Sequence, residues 1–225
     1  MQVLQLHLRE QSSLLASTER RVLERMATWM PAWVNSDHLT LLGLLSMLLA
    51  GCAYWAASFN RAALLIVVFA LALNWFGDSL DGTLARVRNR QRPRYGFYVD
   101  HVVDLVGTFF LLGGLALSGY MTPLIALGML AAYLMVEAEV YLATHVRGVF
   151  QMAFIGIGPT ELRIILAIGT LYLLYKPWVG LGAAGRFLLF DVGGIVSIIG
   201  MAVAMTVSSI RNTRALYKAE PLPRS

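Results

Sequence analysis

Four aspartates carry the clearest chemistry in this sequence: Asp78 and Asp81, then Asp100 and Asp104. Spacings of three and four put each pair on one face of a helix. The two segments follow closely on one another, so carboxylates from neighbouring helices can converge. Four unpaired carboxylates repel one another and resist leaving water. Something positive must hold them. Hard oxygen ligands without Cys or a His cluster suit Mg²⁺ or Mn²⁺ rather than Zn²⁺ or copper. Four carboxylates are generous for one ion and natural for two, the arrangement that clamps a transferring phosphoryl group. Solvated span ends, or partners of nearby arginines, would explain a lone aspartate. They explain two pairs at helical spacing poorly.

The elements that position these residues belong in a membrane. Of 225 residues, 58% are hydrophobic and 14% charged, with a mean hydropathy of +0.66. A soluble domain carries about 45–50% apolar and about 25% charged residues, so an ordinary globular fold and a disordered one are both excluded. Apolar stretches over 39–58, 62–77, 96–117, 121–143, 162–175 and 187–209 predict an all-α integral membrane protein with six transmembrane helices. The second stretch is short, and is expected to continue as helix into DSLDGTLARV, carrying its aspartates to the membrane edge. The fifth is also short and is expected to borrow a turn from a flank.

Net charge is +5, and the basic residues are distributed unevenly. Fifteen Lys and Arg fall on one side of the predicted spans, from Arg9 to Arg224; Arg61, Lys176 and Arg186 are the three on the other. By the positive-inside rule both termini and the acidic pairs face the cytoplasm, at the inner membrane if the source is bacterial. Basic residues in so apolar a chain orient it in a bilayer; no nucleic-acid partner is expected. Cys52 is the single cysteine and excludes an intramolecular disulfide. The polar opening MQVLQLHLREQSS lacks a basic stretch leading into an apolar run, so no cleaved signal peptide is expected.

Ahead of the first span, Leu15, Val22, Met26, Trp29 and Trp33 recur at helical steps, with Glu19, Arg20, Arg21, Glu24 and Arg25 among them. That pattern predicts an amphipathic helix lying in the cytoplasmic interface. The chain thus divides into a cytoplasmic segment over 1–36, a catalytic membrane domain over 37–210 and a cytoplasmic tail over 211–225.

The full string is Asp78-x2-Asp81-Gly82-x2-Ala85-Arg86, nine residues, then Gly96-x3-Asp100-x3-Asp104. It closely resembles the signature of the CDP-alcohol phosphotransferase family. The family usually has eight residues where this chain has nine (87–95), and the extra one falls outside both acidic pairs. The resemblance implies transfer of a phospho-alcohol moiety from a CDP-linked donor to an alcohol acceptor, releasing CMP, in phospholipid synthesis. It implies Asp78, Asp81 and Asp100 as metal ligands, with Asp104 as the general base that also touches the metals. A carboxylate in that role agrees with the weak nucleophilicity of an alcohol at neutral pH. Gly82, Ala85, Arg86 and Gly96 then border the nucleotide and its diphosphate. The lead-in to the first span, with Asp37 and Thr40, resembles the family's polar approach to the nucleotide, although a plain helix N-cap explains it nearly as well. Homodimerisation is a further implication. Gly193, Ser197, Gly200 and Ala204 offer a close-packing face, which could equally pack within one chain.

The alcohol stays open. Glu137 and Glu139 lie two apart in the fourth span, so at most one faces the site squarely. Beyond them come His145, Arg147, Glu161 and Arg163. An acidic residue there could hold a cationic headgroup, and an arginine could hold a phosphorylated polyol. The donor is correspondingly CDP-diacylglycerol or of the CDP-choline/ethanolamine type. The pair Asp100-His101 and the aromatic-rich approach to Gly-Pro-x-Glu are similar to the choline/ethanolamine branch, whereas the compact length fits the branch using CDP-diacylglycerol. Arg88, Arg90, Arg92 and Arg94 alternate at two-residue spacing and are expected to attract anionic headgroups. The rival from another class is a divalent-cation transporter or channel. It requires acidic residues through the membrane depth, and here only Asp191 sits toward the far face.

Overall fold

The computed structural model describes residues 16–147, 158–182 and 185–220. Arg9, Leu15, the aromatic approach within 148–157 and the tail beyond Glu220 (Arg224 included) lie outside the described residues. Within them the chain forms seven helices: α1 (Ala16–Trp29), α2 (Ser36–Ala57), α3 (Ala63–Val87), α4 (Pro93–Leu117), α5 (Pro123–Arg147), α6 (Pro159–Tyr175) and α7 (Leu189–Ala219). Between α6 and α7, β1 (Trp178–Gly180) and β2 (Arg186–Leu188) pair antiparallel, with Val179 opposite Phe187. The hairpin is absent from the sequence reading, because three-residue strands are too short to show a period of two.

Five helices (α2, α3, α4, α5 and α7) are long and apolar enough to cross a membrane. The expected sixth, α6, has 17 residues. At 1.5 Å per residue that is about 25 Å, short of the roughly 30 Å hydrocarbon core. It does begin one turn earlier than its apolar stretch, at Pro159. Likewise α3 runs on through Asp78 and Asp81 to Val87, as expected of the short second stretch.

Local chemistry sets the helix starts. Asn35 caps α2: its side chain accepts the His38 N–H at 3.0 Å, and its own N–H donates to His38 Nδ1 at 3.4 Å. The cap is therefore Asn35 rather than Asp37 or Thr40. Proline opens α4 and α6, where its missing N–H costs nothing, and Glu161 reaches back to the Gly158 N–H at 3.0 Å.

Helix α2 packs chiefly against α3 and α4, and glycines let the backbones meet. A Cβ on Gly77 of α3 would lie 2.6 Å from the Leu39 carbonyl oxygen, and one on Gly51 of α2 would collide with the Phe110 carbonyl of α4. Two helices are thereby drawn to a third at van der Waals contact of their main chains. Around them Tyr54, Leu64, Val67, Leu115 and Leu173 form a closed apolar core. Tyr54 Oη meets Thr170 Oγ1 of α6 at 2.5 Å.

Helix α1 docks through Leu23 and Ala27, buried against Leu39, Leu80 and Leu84. Val22, Trp29 and Trp33 of the foreseen stripe remain exposed, Trp29 by 80%. The helix thus carries two apolar stripes, one holding it to the bundle and one exposed. Arg88 fixes the link to α2: Nη2 donates to the Met30 and Pro31 carbonyls at 2.7 and 2.9 Å, and Nη1 to Val34 O. That corrects its assignment to lipid headgroups. Arg92 is committed as well, to Asp37 and to the Tyr95 ring at 4.0 Å.

Candidate active site

Each end of the bundle is marked by side-chain ties. At one end the first turns of α2, α4 and α6 meet the last turns of α3, α5 and α7, and there the acidic residues gather. At the other, Asp191 accepts the Thr122 N–H at 2.6 Å and its hydroxyl at 2.7 Å. Asp191 is therefore a staple between α7 and the start of α5, not an outer station on an ion path.

The structure brings Asp78 of α3 together with Asp100 and Asp104 of α4, one oxygen from each lying within 4.8 Å of the others. All three are partly buried. The donor set is carboxylate oxygen throughout, which fits a hard divalent cation. Asp81 is not part of this group: its Oδ2 accepts from Thr40 Oγ1 at 2.5 Å and its Oδ1 from the Gly82 N–H. Thr40 is thus placed on an aspartate of the motif, and Ser36 Oγ donates to the Asp81 carbonyl at 2.9 Å, completing the seam between α2 and α3.

The positive charge that three carboxylates demand comes in part from α6. Arg163 Nη2 donates to Asp78 Oδ2 at 2.5 Å and its Nε to Asn74 Oδ1 at 2.7 Å. Asn74 in turn donates to the Gly43 carbonyl at 3.1 Å. The third nitrogen, Nη1, is buried and has no hydrogen-bond partner. Sequence reasoning missed Asn74, whose signal was a lone amide one turn before Asp78 in an apolar run.

The residues expected to border the nucleotide lie on α3 and at the starts of α2 and α4. A Cβ on Gly82 would meet only the Arg86 guanidinium, at 3.5 Å, and one on Gly96 would meet nothing within 4 Å. Both glycines leave open space and neither seats a neighbouring helix. Arg86 Nη2 donates to Thr83 Oγ1 at 2.8 Å, folding the side chain back along α3. Ala85 is half-buried on the same helix. Asp37 holds the Arg92 guanidinium, raising that already basic group further.

The residues expected to meet the acceptor divide. Glu137 stands two residues before Glu139 and so on the opposite side of α5, with Tyr133 and Tyr141 one turn to either side. Glu139 faces away: Ser208 Oγ and Asn212 Nδ2 of α7 donate to it at 2.9 and 2.7 Å. Arg147 is exposed and donates to Asn212 Oδ1, and His145 is exposed in the same last turn. Neither is held against the acidic group. Glu161 is spent partly on its helix start. His101 stacks on Phe97 with centroids 4.1 Å apart and lies 3.8 Å from Asp100. A Cβ on Gly193 or Gly200 of α7 would meet nothing within 4 Å among the described residues, so neither glycine is needed for a close approach there.

The profile of the CDP-alcohol phosphatidyltransferase family matches residues 33–208. No curated protein matches the chain. Among solved structures, it is similar to the crystal structure of Mycobacterium tuberculosis phosphatidylinositol phosphate synthase with CDP-DAG bound. Identity is 17%, the match covers 91% of this chain and 98% of that one, and the TM-score is 0.59. At that identity the likeness is one of fold.

Proposed function

The chain belongs to the CDP-alcohol phosphatidyltransferase family, and on that premise we propose that it joins an alcohol to the phosphate of a CDP-linked donor at the Asp78–Asp100–Asp104 centre. The observation that carries this reading is the convergence of those three carboxylates within 4.8 Å at one end of a membrane bundle. Asp78 and Asp100 would hold Mg²⁺ or Mn²⁺ together with Asp104, two ions being the natural complement; Asp81, the remaining expected ligand, would have to give up its contact with Thr40 to join them. A bound divalent ion supplies charge neutralisation to the diphosphate and to the departing phosphate.

The residues of this chain do the rest. Asp104 accepts the proton of the acceptor hydroxyl. The alcohol oxygen forms a bond to the phosphorus bearing the donor's alcohol group, and the bond from that phosphorus to the bridging oxygen breaks. CMP leaves with the electron pair. Open space at Gly82 and Gly96 admits the nucleotide, with Arg86 beside it as a fork for phosphate oxygens. Arg163, with its unpartnered Nη1, and Glu137 are the acceptor residues best placed beside the centre. The site opens to the cytoplasm, consistent with the fifteen-to-three division of basic residues, and α6 completes a six-helix membrane domain despite its length.

The test is CMP release by purified protein in mixed micelles with Mg²⁺ or Mn²⁺. One arm offers CDP-diacylglycerol with polar alcohols, the other CDP-choline or CDP-ethanolamine with diacylglycerol, and Asp104→Asn serves as control. Metal-dependent release that disappears in the variant supports the reading, and the productive pair names the substrates. Release undiminished in Asp104→Asn, or absence of release from every pair, overturns it.

A further inference from the structure

One oxygen of Glu19 gathers three donors from two other helices. Trp75 Nε1 of α3 donates to it at 2.7 Å, Ser79 Oγ of α3 at 3.3 Å, and Thr160 Oγ1 of α6 at 2.7 Å. Glu19 sits in the first turn of α1 and is only partly exposed, whereas its neighbours Thr18 and Arg20 face outward. All three donors are neutral, so the carboxylate is held by geometry rather than by an opposite charge. A carboxylate receiving neutral donors makes charge-assisted hydrogen bonds, stronger than those between neutral groups.

The positions of the donors give the contact its meaning. Trp75 and Ser79 flank Asp78 on α3, and Thr160 lies one turn before Arg163 on α6. The Asp78–Arg163 pair therefore has Glu19 beside it, tying the same two helices a turn away. Helix α6 packs chiefly on α3, and the side chains that tie its first turns there are Thr160, to Glu19, and Arg163, to Asn74 and Asp78.

We propose that Glu19 is a positioning residue for the transfer site: by clasping Thr160 to Trp75 and Ser79, it sets the placement of the α6 start, and with it Arg163, against Asp78. This rests on the function proposed above for its kinetic consequence, but not for its structural one. Since α6 carries the acceptor-side residues Glu161 and Arg163, and α2, α3 and α4 carry the nucleotide-side ones, loosening the clasp acts on the acceptor and spares the donor. Glutamine retains an acceptor oxygen at the same reach, so the amide should substitute for the carboxylate where a methyl group cannot.

Two readouts test this. In a Cys52→Ser background, spin labels at Thr18→Cys and Leu162→Cys report the α1–α6 distance in membranes. A single narrow distribution is expected with Glu19 and with Glu19→Gln, and a broad one with Glu19→Ala. In steady-state transfer, Glu19→Ala is expected to raise the acceptor KM about tenfold, with the donor KM within about twofold, the order of losing a hydrogen bond to a charged group. Glu19→Gln, which keeps an acceptor oxygen but loses the charge that strengthens these bonds, should raise the acceptor KM clearly less than Glu19→Ala. Thr160→Val, which removes the α6 donor alone, should raise the acceptor KM in the same sense and add little to Glu19→Ala. An unchanged distance distribution in Glu19→Ala, a Glu19→Gln variant as impaired as Glu19→Ala, or donor and acceptor KM rising together would overturn the proposal. If no substrate pair reacts at all, the transferase reading fails, and the distance measurement still decides the clasp.

Discussion

Arg163 donates to Asp78 at 2.5 Å across 85 residues of sequence, with the two side chains 17% and 23% exposed. The pair joins the start of α6 to the acidic turn of α3. It also supplies fixed positive charge to a group of carboxylates that would otherwise meet in a poorly solvated place. A buried ion pair of this kind is expensive to break from one side, because the surviving charge keeps its desolvation cost.

Replacing Arg163 by methionine should therefore destabilise the metal-free protein by about 2–4 kcal/mol, the lower part of the range allowing for residual solvent at both partners. Added Mn²⁺ should restore more stability to Arg163→Met than to the unaltered protein, since a cation at the carboxylates replaces the lost charge. Thermal unfolding in detergent with and without Mn²⁺ measures both. Equal metal responses in the two proteins would show that Arg163 does not share the charge balance of the cluster.

A second prediction separates the aspartates. Asp78→Asn and Asp100→Asn should weaken divalent-metal binding and transfer together. Asp104→Asn should retain measurable metal binding while transfer falls by roughly 10²–10⁴, the usual contribution of a positioned general base. Metal titration followed by a CMP-release assay on the same preparations distinguishes the two. Loss of all metal binding in Asp104→Asn would make it a ligand first and a base second.

What could be read in the sequence follows from the range of the forces concerned. The apolar runs and the aspartate spacings are local, so five membrane-length helices, the extension of α3 and the meeting of Asp78 with Asp100 and Asp104 were legible. The partners of isolated polar residues were not, because they depend on which helix faces lie opposite. Arg88 reads as a headgroup contact until its guanidinium is seen on the carbonyls of Met30, Pro31 and Val34. Asp37 reads as a nucleotide neighbour or a helix cap until Asn35 takes the cap and Arg92 takes Asp37. The same holds for Asp81, whose spacing puts it on the acidic face but whose carboxylate is turned to Thr40. Glycine has the same ambiguity. Gly82 and Gly77 look alike in sequence, yet one borders open space and the other admits the α2 backbone.

That contrast makes a third prediction. A methyl group at Gly77 would stand 2.6 Å from the Leu39 carbonyl oxygen and 2.8 Å from the Gly43 nitrogen, both main-chain atoms that cannot step aside. Gly77→Ala should cost about 1–3 kcal/mol by overpacking and disturb the Thr40–Asp81 contact that the α2–α3 seam holds. A Cβ at Gly96 meets nothing within 4 Å, and because alanine is the better helix former Gly96→Ala should leave the unfolding temperature unchanged or slightly raised. If the space at Gly96 admits the nucleotide, its effect should appear instead as a raised donor KM. Thermal unfolding and donor titration on both variants give the comparison, and a destabilised Gly96→Ala would contradict it.

The fourth prediction concerns two glutamates that sequence alone leaves equivalent. Glu139 is occupied by Ser208 and Asn212 of α7, whereas Glu137, two residues earlier, is on the opposite side of α5. Removing the Glu139 carboxylate strands two donors between α5 and α7, so Glu139→Ala should lower stability by about 1–3 kcal/mol. Transfer by the folded fraction should be little changed. Glu137→Gln keeps the shape of the side chain and removes one negative charge near Asp104, so its effect should fall on acceptor kinetics with stability close to unaltered. Unfolding curves and acceptor titrations on the two variants form a crossed test: stability moves with one residue and kinetics with the other. A Glu139→Ala protein that folds normally but handles acceptor poorly would reverse the assignment, placing the α5–α7 contact in the transfer site and Glu137 outside it.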